Sequence, residues 1–117
     1  MVAFPRRGHI YWVDFNPARG SEQAGKRPAV VVSNNINNEH SPVVIVAAMT
    51  TKLASKEYPM NVRLGAGSAM GESEILCGQL VTISKERLEN HMATLTETEI
   101  ARLDRALATS LQLPKPS

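Results

Sequence analysis

The sequence lacks several features that would place it outside the class of small globular domains. Cys77 is the only cysteine among 117 residues, so no internal disulfide can form, as is typical of proteins in a reducing cytoplasm. No apolar run approaches the roughly 18 residues that a membrane-spanning helix needs, and the first residues do not have a signal-peptide pattern. Together with the chain length, these absences predict one cytoplasmic domain spanning residues 1–117.

The sequence also lacks a large excess of charge of either sign. Lys and Arg number 13 against 11 Asp and Glu, which gives a net charge of +2. Residues 1–56 carry seven basic against three acidic side chains, whereas residues 57–117 carry six against eight. The basic half is compatible with a polyanionic partner such as nucleic acid, and equally with an ordinary solvated surface.

Common cofactor and metal motifs are missing as well. The three histidines, His9, His40 and His91, do not have the spacing of metal ligands, and Cys77 has no Cys or His neighbour to complete a zinc site. The glycine-rich stretch Gly65–Gly71 lacks the Lys-Ser/Thr ending of a phosphate-binding loop. We therefore expect neither a metal nor a cofactor, and we predict that Cys77 fills core space.

The apolar and β-branched residues predict a succession of strands separated by polar segments. The connection over residues 35–42 is rich in turn-forming residues, and residues 85–95 fit a helical turn or a short strand equally well. A polar loop is predicted over residues 16–28. The predicted strands are His9–Phe15, Ala29–Asn34, Val43–Thr50, Met60–Leu64 and Glu74–Ser84, with a bulge expected at Gly78.

The end of the chain predicts a helix that begins at a capping box, Thr96-x-x-Glu99, and stops before Pro114. Strands followed by one helix indicate a mainly β fold, an antiparallel barrel or rolled sheet capped by a C-terminal helix. The apolar stripe expected to face the core consists of Ile100, Leu103, Leu107 and Leu111.

Two residues stand out as candidates for chemistry. Pro28 holds Arg27 in extended geometry, and the planar guanidinium matches phosphate oxygens, although an ion pair with Glu22 would explain Arg27 equally well. Thr50 ends the third predicted strand. If the second and third strands are antiparallel neighbours, Thr50 lies near Arg27, where a hydroxyl and a cation together could hold a phosphate. An ordinary strand-end turn is the alternative for Thr50.

Four segments at their present spacing carry a resemblance: RRGHIYWVDFNPARGSEQAGKRPAVVVSN (6–34), SPVVIVAAMTTK (41–52), YPMNVRL (58–64) and GQLVTISKERL (78–88). Through them, residues 6–112 resemble the MazF/PemK (Kid) family, toxins of bacterial type II toxin–antitoxin modules. The resemblance implies a small SH3-like antiparallel barrel with a C-terminal helix, working as a homodimer. It also implies a metal-independent endoribonuclease that cuts single-stranded RNA, commonly mRNA, and a cognate MazE-like antitoxin.

The resemblance further implies a catalytic pair, Arg27 and Thr50. In the same pattern the RNA site is lined by Ser21, Glu22, Gln23 and Gln79, and we expect the neighbouring Lys26 and Thr51 to contact RNA too. The family pattern often has an acidic and a basic residue where this chain has Gly78 and Val81.

Two other functions remain as alternatives at this stage. The gyrase poison CcdB shares the barrel architecture and acts by binding a topoisomerase, and a catalytically silent barrel could bind nucleic acid or peptide without cutting RNA. The segments containing SEQ, KRP and AAMTT favour the ribonuclease, because an inhibitor that only binds would not require the arginine–threonine pair.

Overall fold

The computed structural model describes residues 4–16 and 25–116. These residues contain six strands, β1 (His9–Asp14), β2 (Lys26–Val31), β3 (Val43–Thr50), β4 (Asn61–Leu64), β5 (Ser73–Ser84) and β6 (Leu88–Thr94), and two α-helices, α1 (Asn35–His40) and α2 (Glu97–Leu111). All the strand pairs are antiparallel, and the order in the sheet is β4-β5-β3-β2-β1-β6. The edge strands β4 and β6, both within the described residues, are not paired with each other, so the sheet of this barrel-like fold is not closed.

Two hydrophobic cores lie on opposite faces of this sheet, because successive side chains of a strand point in opposite directions. The first core is covered by α2 and includes Val30, Ala47 and Leu103. The second, on the opposite face, includes Ala29, Val31 and Val46. The central strands β2 and β3 thus contribute apolar residues to both faces, which explains their nearly continuous apolar sequence.

Strand β2 begins earlier than the apolar pattern predicted, at Lys26 instead of Ala29, and ends at Val31. The cause is pairing with β1, in which Val13 lies opposite Arg27 and Trp12 opposite Pro28. Pro28 has no N–H to donate, and this is tolerated because the pairing of β2 with β3 starts only at Ala29. Residues 26–28, predicted to lie in the polar loop, therefore belong to β2.

The connection predicted to be irregular contains the six-residue helix α1. The side chain of Asn34 caps it by accepting a hydrogen bond from the Asn37 backbone N–H, at 2.9 Å. The side chain of Asn38 is buried and donates to the carbonyl oxygen of Ser33, at 2.8 Å. These side-chain bonds to the backbone make a helix from residues whose average preference is for turns.

Residues 85–95, which fitted a helical turn or a short strand equally well, contain both structures. A 3₁₀ turn at Lys85–Arg87 is followed by β6. The bulge expected at Gly78 is present: Ala47 of β3 pairs with Leu80, whereas Met49, two residues on, pairs with Ile75. Four residues of β5 therefore lie opposite one residue of β3.

Helix α2 begins at the predicted capping box, with Thr96 and Glu99 bonded reciprocally. Leu103 is fully buried, and Ile100 and Leu107 pack against the first core. Leu111 was expected on the buried stripe but is 52% exposed, because the helix ends there and Gln112 turns into a left-handed conformation. Neither helix in the described parts of the chain is long and apolar enough to cross a membrane.

Candidate active site

Strand register brings Arg27 and Thr50 to the same place. In the antiparallel pairing of β2 with β3, Ala29 lies opposite Ala48, and Val31 lies opposite Val46. Continuing this register by two residues sets Arg27 across from Thr50, on the same face of the sheet. The paired residues stop at Ala29 and Ala48, so the two strands part where this pair lies.

A cavity of about 220 Å³ opens between the parting strand ends. Arg27 and Thr50 both line it, and Thr51 continues its wall beyond the end of β3. The remaining lining residues are Pro28, Met49, Met70 and Ser73. The cavity therefore combines the Arg27 cation and several hydroxyl groups with an apolar wall, which suits an anion whose neighbouring groups are partly apolar.

The guanidinium of Arg27 is not neutralised by the described part of the protein. Its Nε is buried and has no hydrogen-bond partner there, and no carboxylate among those residues forms an ion pair with it. An unpaired buried donor carries a free-energy penalty of about 1–3 kcal/mol. A ligand with oxygen acceptors at this point would remove that penalty.

The hydroxyl of Thr50 is oriented by the chain that follows it. Its Oγ1 accepts a hydrogen bond from the backbone N–H of Lys52, at 3.0 Å. A threonine hydroxyl that accepts in this way still has its own hydrogen to donate. Thr50 can therefore donate to an oxygen of the same group that Arg27 contacts.

Two other predicted site residues lie away from this cavity. Lys26 is adjacent to Arg27 in a strand and so points to the opposite face, where its Nζ forms an ion pair with Glu89 at 3.0 Å. Gln79 is exposed in the bulge of β5 and lines a separate shallow hollow with Tyr58 and Asn61. The structure thus does not bring Lys26 and Gln79 to the pair formed by Arg27 and Thr50.

Ser21, Glu22 and Gln23 lie outside the described residues, but both ends of their segment are held. The backbone N–H of Phe15 donates to the carbonyl oxygen of Gly25 at 2.9 Å, and the Gly25 N–H donates to Oδ1 of Asn16 at 3.0 Å. Arg87 donates to the carbonyl oxygens of Asp14, at 3.1 Å, and of Asn16. Gly25 immediately precedes Lys26 and Arg27, so the described end of this segment leads into the strand that carries Arg27.

The side chains of His40 and Cys77 lie away from the cavity. His40 is exposed at the end of α1 beside Glu39 and does not line the cavity. Cys77 is fully buried in the first core, and burial raises the pKa of its thiol to about 12. Its predicted role as a small core residue is confirmed. In residues 4–16 and 25–116 no three His, Cys, Asp or Glu side chains cluster to hold a metal ion.

Sequence patterns did not reveal the far wall of the cavity. Met70 and Ser73 come from the glycine-rich stretch and from the start of β5, about 45 residues after Arg27. Nothing in their local sequence distinguishes them from ordinary loop and strand residues. They reach the site because β5 pairs with β3 through Thr50 and Glu74.

Comparison with known proteins places this chain and its fold among toxins. Residues 6–111 match the family of PemK-like, MazF-like toxins of type II toxin–antitoxin systems. An endoribonuclease MazF of Staphylococcus epidermidis is 38% identical over 110 residues, covering 92% of each chain.

Solved structures agree with these sequence matches. An endoribonuclease from a mycobacterial species has a TM-score of 0.81 at 26% identity, with 99% of each chain covered. A mycobacterial endoribonuclease in complex with its cognate antitoxin has a TM-score of 0.79 at 27% identity, covering 96% of this chain and 99% of the other. MazF of Deinococcus radiodurans has a TM-score of 0.79 at 26% identity, covering 96% and 100%.

Proposed function

The chain belongs to the PemK-like, MazF-like family of type II toxins, and on this premise we propose that it is a sequence-specific, metal-independent endoribonuclease that cuts single-stranded RNA. The observation that carries the proposal is the meeting of Arg27 and Thr50 at one cavity, with the buried Nε of Arg27 unpaired among the described residues. A phosphodiester supplies the acceptors that both side chains can use.

RNA brings its own nucleophile to such a site. The 2′-oxygen attacks the adjacent phosphorus while the P–O5′ bond breaks, which leaves a 2′,3′-cyclic phosphate and a 5′-hydroxyl end. The protein must hold the 2′-oxygen in line with the leaving group and stabilise charge on the non-bridging oxygens. Arg27 provides the charged donors for these oxygens, and Thr50 donates a second hydrogen bond.

Proton transfer requires a separate group. A guanidinium is effectively always protonated in proteins, so Arg27 is poorly suited to accept the proton of the 2′-hydroxyl. Glu22 is our candidate for this proton acceptor, since its segment joins β2 just before Arg27. The leaving 5′-oxygen must gain a proton in the same reaction.

Base recognition is assigned to polar side chains of the segment before β2, of the chain after β3 and of β5. Unpaired bases present hydrogen-bonding edges, which Ser21, Gln23 and Gln79 can contact and Thr51 can supplement. Lys26 contributes positive charge for the backbone of the RNA. To contact a phosphate, its Nζ must leave the ion pair with Glu89.

The partners follow from the same proposal. Residues 1–117 act as one toxin domain in the cytoplasm, assembled as a homodimer, and a MazE-like antitoxin blocks RNA cleavage. Relatives named as endoribonucleases, one of them in complex with its cognate antitoxin, support this assignment.

The first test is cleavage of a long single-stranded RNA in EDTA by the wild type and by Arg27→Ala and Thr50→Val. We expect discrete fragments with cyclic phosphate ends from the wild type, and a loss in kcat of about 10²–10³-fold for Arg27→Ala. Arg105→Ala, an exposed arginine of α2 away from the cavity, is the matched control and should cut like the wild type.

Two outcomes of the cleavage assay would contradict the proposal. Intact RNA with the wild type across diverse sequences would reject the ribonuclease and favour a gyrase-type inhibitor or a silent binding protein. Undiminished cleavage by Arg27→Ala would retain the activity and reject the assigned role of Arg27.

A further inference from the structure

A buried carboxylate lies immediately beside the catalytic pair and is not used in the chemistry proposed above. Glu74 of β5 is 1% exposed and pairs across the strands with Thr50. A carboxylate this deeply buried needs several partners to offset the loss of hydration. Its partners lie in the chain segment that follows Thr50 and in β4.

Glu74 and Arg63 both bond to the backbone of Ala54, one to its N–H and the other to its carbonyl oxygen. Oε1 of Glu74 accepts from the backbone N–H of Ala54 at 3.2 Å, and Nη2 of Arg63 donates to the carbonyl oxygen of Ala54 at 2.6 Å. Arg63 lies directly opposite Glu74 in the pairing of β4 with β5, with Nη2 and Oε1 3.5 Å apart. Nη2 also donates to the carbonyl oxygen of Lys56, at 3.3 Å.

The segment fixed in this way is the continuation of the active-site strand. Residues 51–60 form neither helix nor strand, so side-chain bonds to their backbone replace a regular ladder. Within the same segment, Thr51 lines the cavity and the Lys52 N–H orients the hydroxyl of Thr50. Asn61, at the far end, donates to Oε2 of Glu74 at 3.0 Å.

We infer that Glu74 and Arg63 form a positioning pair for RNA cleavage, an inference that rests on the proposed function. By clamping Ala54 they fix residues 51–56 and so set the place and direction of the Thr50 hydroxyl relative to the scissile phosphate. Neither side chain lines the cavity, so neither is a catalytic residue.

The test measures kcat and KM separately on a short single-stranded RNA that contains a wild-type cleavage site. Glu74→Gln keeps the shape of the side chain but removes its charge. We expect kcat to fall by about ten- to a hundredfold, because small misplacements of catalytic groups cost this much, while KM stays near the wild-type value. Arg63→Lys keeps the charge but removes the planar guanidinium that donates to the carbonyl oxygens of Ala54 and Lys56, and it should also lower kcat.

A double mutant separates positioning from a general structural effect. If Glu74 acts through Thr50, Thr50→Val with Glu74→Gln is no slower than Thr50→Val alone. Glu57→Gln is the matched control, because Glu57 approaches the same Arg63 only to 3.9 Å and is 77% exposed. It should retain wild-type kcat and KM.

Several outcomes would overturn the inference. Wild-type kcat in Glu74→Gln and Arg63→Lys, a change confined to KM, or losses that multiply in the double mutant would reject it while leaving the ribonuclease intact. A wild type that cuts no RNA would remove the proposed function, and the positioning role with it. If Glu74→Gln does not fold, Arg63→Lys alone decides between these results.

Discussion

His9 stacks on His91 with ring centroids 4.3 Å apart, and Tyr11 lies beside both rings on the surface of β1 and β6. Burial, the neighbouring His91 and the positive charge of Arg6 all lower the pKa of His9 from its ordinary value of 6.5. The folded protein therefore resists protonation of His9, whereas the unfolded chain accepts the proton at its ordinary pKa.

The lowered pKa of His9 makes the free energy of unfolding depend on pH. Below pH 6.5 the unfolded chain binds more protons at this site than the folded protein, so acid favours unfolding. We expect the free energy of unfolding to fall as the pH drops below 6.5, and His9→Gln to reduce this slope. Urea unfolding at pH 7.5 and at pH 5.5 measures it. Equal slopes in the wild type and His9→Gln would contradict the prediction.

Single residues differ in how far their positions could be predicted from sequence. The meeting of Arg27 and Thr50 at one place was predictable, because each flanks an apolar strand, and antiparallel neighbours bring such ends together. Glu74 was not recognisable, because a buried carboxylate in a strand has the same sequence pattern as an exposed one. Its burial is created by residues 51–60 folding over it, and no local signal encodes that.

Helix α2 offers a prediction at the scale of an element. Oγ1 of Thr96 accepts from the Glu99 N–H at 3.1 Å, and the Thr96 N–H donates to Oε1 of Glu99 at 2.9 Å. Thr96→Ala removes the first bond and should lower the free energy of unfolding by about 0.5–2 kcal/mol. Equilibrium urea unfolding gives the value.

Thr98→Ala is the matched control, because Thr98 is an exposed threonine of the same helical turn that does not cap it. Its effect should stay within about 0.5 kcal/mol. Equal losses in the two variants would mean that the capping bonds do not stabilise the helix.

The observed boundaries of strands and helices differ from the predicted ones where contacts between residues distant in the sequence determine them. The start of β2 was misplaced because pairing with β1 extends it back to Lys26, past the polar residues that predicted a loop. Helix α1 was missed because its residues favour turns, and the bonds of Asn34 and Asn38 are what stabilise it. The nearly continuous apolar strand β3 and the periodic helix α2 were predicted nearly to their ends.

At the scale of the whole molecule, the two hydrophobic cores share one sheet. Val30 and Ala47 face one core, and their neighbours Val31 and Val46 face the other. Neither core can therefore lose its strands without exposing the other. The rolled antiparallel sheet with a C-terminal helix followed from the order of strands and helix, whereas the division into two cores depends on how the sheet curls.

Removing a large side chain from one core should consequently destabilise the entire fold. Leu103 of α2 is fully buried, and Leu103→Ala is expected to cost about 2–5 kcal/mol. Fluorescence of Trp12, the single tryptophan, and far-UV circular dichroism should report one coincident urea transition. Val44→Ala, in the other core, should shift both signals together as well. Separate transitions for the two signals would show that the cores unfold independently.

The bulge of β5 has a consequence for how the chain length of this protein can change over evolutionary time. A residue gained or lost elsewhere in a paired strand turns every following side chain to the opposite face. At Gly78 the ladder is already interrupted and the surrounding space is open. An insertion there leaves Ile75 and Cys77 in one core and Ile83 in the other. This point of β5 can therefore accept a change in length while both cores keep their residues.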